Sequence, residues 1–470
     1  MNTSVAPAAL RPSWRRRVLL ALLIPVLLML ALLLMLALLL AKASQIRLAA
    51  EAYLFGYPLV IMDITRANSA LTLGPENQLH RVRRFPDAGF REVVRPNVDT
   101  LYTSAFIDMA KGPWLFEMAA NYQRYEVMPF MDAWTNVFAA PGTRSTGTAG
   151  GKFLLVGPGW QGSIPAELTL LRAPTRIVWL IGRTQTRGMT DYPLVHALQD
   201  RLALRSLAAW QAGRDDTSPA WQVASVRPAP PVEQMRAMSA ETFFNRLALL
   251  LVDNPPAAAD APMMAKLARI GVKPGPAPNW AVLDLWSLRL GRWIADFGVA
   301  RELKKPRDLV RGWATPPAIL GQYGTDYATR AAVAMVGLGA NLPLDAIYPN
   351  THVDQNGQAL DGSHRYRLHF KAGELPPVNA FWSVTAYDEH DFFIANPLQR
   401  YALGDRDALT YNADGSLDLL VQATAPSGEP VKNWLPVQAD EPFLLNARLY
   451  WPKPAALSGA WGMPGVERID

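Results

Sequence analysis

The chain contains no cysteine. Disulfides, zinc–thiolate sites, iron–sulfur clusters and cysteine nucleophiles are therefore excluded. Two common catalytic signatures are missing as well: there is no G-x-S-x-G nucleophile elbow and no H-E-x-x-H zinc helix. Acidic residues are absent from the first 47 positions, which hold Arg11, Arg15, Arg16, Arg17, Lys42 and Arg47. Those six residues account for the whole formal charge of +6, and the remainder carries 40 basic and 40 acidic residues. A formally neutral body offers no general attraction to phosphate backbones, so no nucleic-acid partner is expected. The asymmetry is a signal of topology.

That signal stands directly before an unbroken apolar run from Val18 to Ala41. At about 1.5 Å per residue, a helix over the run spans roughly 36 Å, enough to cross a hydrocarbon core of about 30 Å. Pro25 should bend such a helix without ending it. The arginines are expected to stay on the cytoplasmic side of a bacterial inner membrane, with everything from Lys42 onward in the periplasm. A cleaved signal peptide is the competing reading, because Ala41-Lys42-Ala43 has the small-x-small form, but the apolar run exceeds the ~7 to 15 residues usual for one.

Beyond the anchor there is length for two or three cores. With 15 Trp, 14 Tyr and 39 Pro, the composition suits loop-rich, aromatic-rich β-sandwich or barrel cores. Helical spacing returns over Ser44 to Ala70, with Pro58 as a kink. Seven short runs rich in branched and aromatic residues follow: Thr100–Met109, Trp114–Met118, Arg124–Phe130, Thr135–Ala139, Lys152–Val156, Leu168–Leu171 and Arg176–Ile181. Tyr192 to Trp210 reads as a helix, and Asp215 to Pro231 as a linker. Helical patterns recur over Glu233–Val252, Ala261–Ile270, Trp280–Phe297 and Tyr327–Leu338. Strands resume at Arg365–Phe370, Phe381–Tyr387, Leu417–Ala423 and Phe443–Trp451, with hairpin signals at Asn356-Gly357 and Asp414-Gly415. The expected architecture is mainly β with a helical middle section, an α+β multidomain chain. A cytoplasmic segment (1–17) and a transmembrane anchor (18–41) precede a β-domain with flanking helices (44–210). A helical connection (211–340) and a second β-domain (341–470) follow, both β-domains sandwich- or jelly-roll-like.

Gly147 to Lys152 looks like a phosphate loop, but Thr146 stands where the first glycine belongs and Phe153 where Ser or Thr should hold magnesium. It reads better as a glycine-rich connection into a strand. His364 and His369, five apart on a strand, should face opposite sides and share no metal. Asp388, His390 and Asp391 read as a solvated turn. No metal site is expected, and no cofactor is implied.

The segment Arg95-Pro-Asn-Val-Asp99-Thr-Leu-Tyr102 is more informative, because it carries a carboxylate and a phenol into an apolar strand beside an arginine. A buried Asp needs a partner, either Arg95 or a ligand. Asp132 and Asn136 follow a strand end in the same way, and Arg144 and Arg183 lie in or beside glycine-containing turns. Converging arginines would suit a carboxylate or phosphate ligand through bidentate pairing. A buried polar network that fixes loops is the alternative.

These segments carry a resemblance. Arg95 to Tyr102, Asp132-Ala-Trp-Thr-Asn136, Gly142-Thr-Arg-Ser-Thr-Gly147, Val156-Gly-Pro-Gly-Trp160 and Ile181-Gly-Arg-Thr184 resemble the DUF1254 family. Leu375 to Asp388, Arg400-Tyr-Ala-Leu-Gly-Asp405-Arg, Asp414-Gly-Ser-Leu, Asn433-Trp-Leu-Pro436 and Arg448-Leu-Tyr-Trp-Pro452 resemble its companion, DUF1214. The resemblance spans about residues 48 to 467. It implies two β-domains joined by helices in a bacterial envelope protein, and it supplies no catalytic list.

Two functional readings stand at this point. In the first, the chain is an envelope hydrolase that activates water against an anionic or lipid-like small molecule. Asp99 or Asp132 would be base or acid, Tyr102 a hydrogen-bond donor, and Arg95, Arg144 and Arg183 anion clamps. In the second, it is a non-catalytic ligand-binding or scaffold protein with Trp160, Trp382 and Trp434 lining a cleft. In both, the lipid bilayer is a partner through residues 18–41.

Overall fold

The computed structural model describes residues 14–91, 94–216, 227–276, 278–304, 309–315 and 317–470. Arg11 and most of the segment assigned to the cytoplasm lie outside these residues, as does most of the linker expected over Asp215–Pro231.

The anchor and the first soluble helix, expected as separate elements, form one helix, Trp14–Thr72, with Pro25 and Pro58 inside it. Its 59 residues extend about 88 Å at ~1.5 Å each. No break arises because Lys42, Ala43 and Ser44 are compatible with helix and nothing there caps one. The two halves meet different surroundings. Leu22 to Leu40 present a belt of exposed large apolar side chains, whereas Ile46, Ala49, Tyr53, Phe55, Val60 and Ile64 are buried. The exposed part is long and apolar enough to cross a membrane, as a single-pass anchor or a signal sequence would be.

The buried half is the axis of a helical layer. The helices Pro231–Ala237, Ala240–Asp253, Ala261–Arg269, Val282–Lys304 and Tyr327–Val336 surround it, and their apolar faces form one core with Tyr53, Phe55, Leu59 and Ile61. Two are started by side chains: Ser239 accepts from the Thr242 N–H at 3.0 Å, and Asp326 from the Thr329 N–H at 3.0 Å. A close backbone approach is at Gly291, where a Cβ would lie 2.5 Å from the Ile46 carbonyl oxygen and 2.6 Å from the Ala49 Cβ. Because backbone cannot yield there, Gly291→Ala is expected to cost about 1–3 kcal/mol, read as a lower denaturation midpoint. An unchanged midpoint would contradict this contact.

Among the described residues, the strands form four sheets. In the N-terminal module, Thr100–Asp108 pairs antiparallel with Ile177–Gln185, and the latter also pairs with Phe130–Asp132. A second sheet joins Trp114–Met118, Gly151–Val156 and Ala203–Ser206. Ala105, Ile107, Phe116, Phe153, Val178 and Leu180 fill the space between the two. The C-terminal module has Val378–Asp388 against Phe443–Pro452 in one sheet, and Tyr366–Phe370 against Leu417–Gln422 in the other. Leu368, Trp382, Val384, Leu419 and Leu449 pack between them. The fold is the α+β arrangement expected, with helices joining two β-modules.

One expected helix is divided. Tyr192–Asp200 is helical, but Ala203–Ser206 is an edge strand on Trp114–Met118, followed by a short helix, Leu207–Gln211. The Asp414-Gly415 signal makes a tight turn with Gly415 at φ 81°, and the strand that follows pairs elsewhere, so it joins no hairpin.

Candidate functional site

The two long antiparallel pairs bring their polar faces together. On the N-terminal module, Tyr102 stands opposite Arg183. Their neighbours Ala105, Ile107, Val178 and Leu180 point the other way into the core, so strand alternation places Tyr102 and Arg183 on the outer face. On the C-terminal module, Phe381 is opposite Tyr450 and Ser383 opposite Arg448, while Trp382, Val384, Ala447 and Leu449 enter the core. Tyr125 and Val127 of the first module pack directly on Phe381 and Tyr450 of the second. The modules therefore share a seam.

Asp99 is fully buried in it. Its carboxylate accepts from the Arg406 guanidinium, from Ser383 Oγ at 2.7 Å and from the Tyr450 hydroxyl at 3.4 Å. Arg406 also donates to the Asp99 and Thr186 carbonyls at 3.2 and 3.1 Å and lies 4.3 Å from the centre of the Phe381 ring. Burial alone would raise the Asp99 pKa, but the charges of Arg406 and Arg448 outweigh it and hold the carboxyl below its usual range.

Two more arginines are buried at the seam, and each bonds to uncharged acceptors. Arg183 donates to Asn341 Oδ1 at 2.7 Å and to the Gly339 and Ile181 carbonyls at 2.7 and 3.0 Å, and lies over the Tyr102 ring at 5.2 Å. Arg448 donates to Thr385 Oγ1 at 2.7 Å, to the Arg95 and Pro96 carbonyls at 3.0 and 3.3 Å, and to the Tyr387 hydroxyl. Arg406 is thus paired with Asp99 and has Asp405 within 4.0 Å, whereas Arg183 and Arg448 have no ion-pair partner among the described residues. Around them stand the phenols of Tyr102, Tyr348 and Tyr450. Tyr450 is buried, and burial together with Asp99 pushes its hydroxyl pKa far up, so it stays protonated. Tyr102 and Tyr348 are half-buried, each accepting from an asparagine amide, Asn97 at 2.7 Å and Asn341 at 2.6 Å.

The remaining expected residues lie elsewhere or are already paired. Arg95 does not bond Asp99; it takes φ 52° and pairs with Asp391 at 2.8 Å, while its carbonyl serves Arg448. The turn after it is set by Asn97 Oδ1, which accepts from the Asp99 and Thr100 N–H groups. Arg144 forms a two-point pair with the buried Asp345, at 2.6 and 3.1 Å. Asp132 stands opposite Val178, five residues along the strand from Arg183, which is roughly 16 Å at ~3.3 Å per residue. Its oxygens accept from the Trp134 and Asn136 N–H groups at 2.9 Å and from the Asn136 amide at 3.1 Å. Trp160 is half-buried against Leu115, Leu154 and Leu168, apart from the arginines, and Trp382 is a core residue. Trp434 is buried and donates its indole N–H to the Gln422 carbonyl. His369 contacts Asp418 at 2.7 Å and His364 contacts Asp470 at 3.6 Å, and the described residues hold no group of three metal-ligating side chains. Asp388 accepts from the His390 and Phe392 N–H groups, making that segment a turn.

Asp132 supplies a pH prediction. Burial pushes its pKa up to about 6, against the hydrogen bonds it accepts. Between about pH 4 and 6 the folded chain then holds a proton that the unfolded chain has released, so stability falls as pH rises through this window. A shift of about two units corresponds to roughly 3 kcal/mol. Asp132→Asn should remove that slope in denaturant titrations across pH 4 to 7, and an unaltered slope would contradict the assignment.

Arg406, Arg448, Ser383, Tyr348 and Tyr450 were not among the residues singled out from the sequence. Alternation could have found Arg448 and Ser383, since each sits mid-strand between core residues.

Comparison with known proteins gives the family. The model of a family described as "Protein of unknown function (DUF1254)" matches residues 76–206, and that of "Protein of unknown function (DUF1214)" matches residues 345–454. The seam residues Asp99, Tyr102 and Arg183 fall in the first match, and Ser383, Arg406, Arg448 and Tyr450 in the second. The chain matches no curated protein. Among solved structures it is similar to the VPA0106 protein of Vibrio parahaemolyticus, at 25% identity and TM-score 0.70 over 91% of this chain and 100% of that one. An uncharacterised protein from Burkholderia cenocepacia matches at 11% identity and TM-score 0.44, over 90% of this chain and 89% of that one. Two family matches in order, on the two modules that form the seam, make this chain a DUF1254/DUF1214 domain-containing protein.

Proposed function

We propose that this chain is a membrane-tethered bacterial envelope protein that binds a small organic anion at the seam between its two β-modules. The observation that carries the reading is the pair of buried guanidiniums without an ion-pair partner among the described residues, Arg183 and Arg448, beside the Arg406–Asp99 pair and the half-buried Tyr102 and Tyr348. Buried guanidiniums without carboxylate partners are costly, and an anion bound between them offsets that cost. The phenols supply O–H donors and flat apolar faces, which suits a carboxylate or phosphate carrying an apolar part. Arginines ahead of Val18 support a cytoplasmic N-terminus and periplasmic modules.

Binding is favoured over water activation. A base must take a proton near the anion, whereas Asp99 is held ionised by an arginine and a serine, and Asp132 lies on another part of the strand bonded to its own turn.

The test is thermal unfolding of the full chain in detergent with inorganic phosphate or benzoate. A ligand at about 100 times its Kd stabilises by about 2.7 kcal/mol, a rise of a few degrees for a chain of this size. Tyr348→Phe should shrink the rise. No rise with any anion at low salt would overturn the proposal.

A further inference from the structure

The Val282–Lys304 helix is apolar on two sides. Its inner face, with Leu288, Gly291, Ala295 and Val299, is buried against the helical core. Its outer face carries Leu283, Trp286, Leu290, Trp293, Ile294 and Phe297, and four of these are strongly exposed: Leu283 at 48%, Trp293 at 64%, Ile294 at 43% and Phe297 at 60%. Leu283, Trp286, Leu290, Trp293 and Phe297 follow one another at spacings of three, four, three and four. That is the a/d pattern of a coiled-coil seam, and its exposed members meet no partner helix among the described residues. Trp293 and Phe297 stack on each other in the open, ring centres 6.0 Å apart.

The direction of this helix says what covers it. Lys42 bonds Asp284 at 2.8 Å, Gly291 abuts Ile46 and Ala49, and Arg292 lies over Tyr53 at 5.5 Å. Numbers rise together, so the helix runs parallel to the N-terminal helix and starts where the apolar run ends. Copies inserted in one membrane share one orientation, so a symmetric pair has its twofold axis along the membrane normal. A stripe parallel to the anchor then meets its own copy in parallel register, as an a/d seam requires. The stripe's aromatics and aliphatics offer on the order of 500 Å² per copy, hence roughly 1,000 Å² for a pair, the lower bound of a specific interface. Confinement to one membrane raises the effective concentration further.

We propose that two copies of this chain associate in the membrane through the Leu283–Phe297 stripe, as a parallel two-helix seam continuing the paired anchors. This rests on the N-terminal helix remaining as an anchor, independently of any ligand at the arginine cluster.

The absence of cysteine makes the test clean. Leu290→Cys, on the stripe, and Leu249→Cys, exposed at 56% on another helix, are each introduced into the full chain and oxidised in native membranes. Leu290→Cys should give a disulfide-linked dimer on a non-reducing gel, at least about tenfold more than Leu249→Cys, because only the seam brings equivalent Cβ atoms to bonding distance. Adding Trp293→Ser and Phe297→Ser should remove the dimer. Equal yields from the two cysteines, or none from Leu290→Cys, would overturn the proposal. So would a nitroxide at Leu290→Cys that is relaxed by lipid-dissolved oxygen and shows no spin–spin broadening, since the bilayer would then cover the stripe. Recovery of the chain in the soluble fraction would instead refute the anchor.

Discussion

Asp99→Asn is expected to destabilise the full chain by about 3–5 kcal/mol, the usual loss when one member of a buried ion pair is removed. The substitution keeps the shape and leaves the Arg406 guanidinium buried without its counter-charge, beside Arg448 and Arg183. It also weakens the bond from Ser383 that ties the C-terminal module to the N-terminal one. Unfolding should then lose cooperativity, because the Asp99–Arg406 pair is one of the ionic links between the modules, beside Arg95–Asp391 and Arg144–Asp345. The acid limb gives a second readout. The folded pKa of Asp99 lies below its unfolded value, so its contribution is complete above the ordinary carboxylate range and is lost as pH falls through the folded value. Asp99→Asn should flatten the stability curve below about pH 4. Adding Arg406→Met to Asp99→Asn should restore part of the loss, since removing both charges is far less costly than removing one. A loss under about 1 kcal/mol for Asp99→Asn would mean that the seam carries no buried pair.

Arg183→Lys is expected to weaken anion binding at the seam by roughly 30-fold, about 2 kcal/mol, with the charge retained. The guanidinium is positioned by Asn341, Gly339 and Ile181 and rests on Tyr102. An ammonium offers a point charge without the planar fork and cannot satisfy these acceptors and a ligand together. Stability should fall by about 1–2 kcal/mol from the lost hydrogen bonds, leaving the chain folded. Tyr348→Phe removes one hydroxyl, the one that accepts from Asn341, so the two variants separate loss of the fork from loss of the phenol.

Most strands and helices are legible because they follow local rules. Trp114–Met118 was bounded correctly as an aromatic and apolar run after Gly112 and Pro113, while the Val282–Lys304 helix was found by its three- and four-residue spacing but read as Trp280–Phe297, short at its C-terminal end. Ala203–Ser206 was not, because Val195, Leu198 and Leu202 recur at three and four residues and Leu204 and Leu207 at three, and only the free edge of Trp114–Met118 makes Ala203–Ser206 a strand. The seam was half legible. Asp99 and Tyr102 announce themselves as polar residues entering an apolar strand, whereas Arg183, read as lying beside a glycine-containing turn, stands inside the Ile177–Gln185 strand. The partner of Asp99 is 307 residues away, so proximity pointed to Arg95 instead. Arg144 has the right chemistry for a site, and its partner, the buried Asp345 201 residues away, is invisible without the fold, whereas Asp132 is bonded by the neighbouring Asn136 already coupled to it in the sequence.

The central claim is tested most directly by titrating inorganic phosphate and benzoate into the full chain by calorimetry at low ionic strength. The account predicts saturable binding of at least one of these anions at one site per chain, weakened by added salt and by Arg183→Lys. Failure of both anions to bind the unaltered chain, or equal binding by the Arg183→Lys and Tyr348→Phe variants, would contradict it.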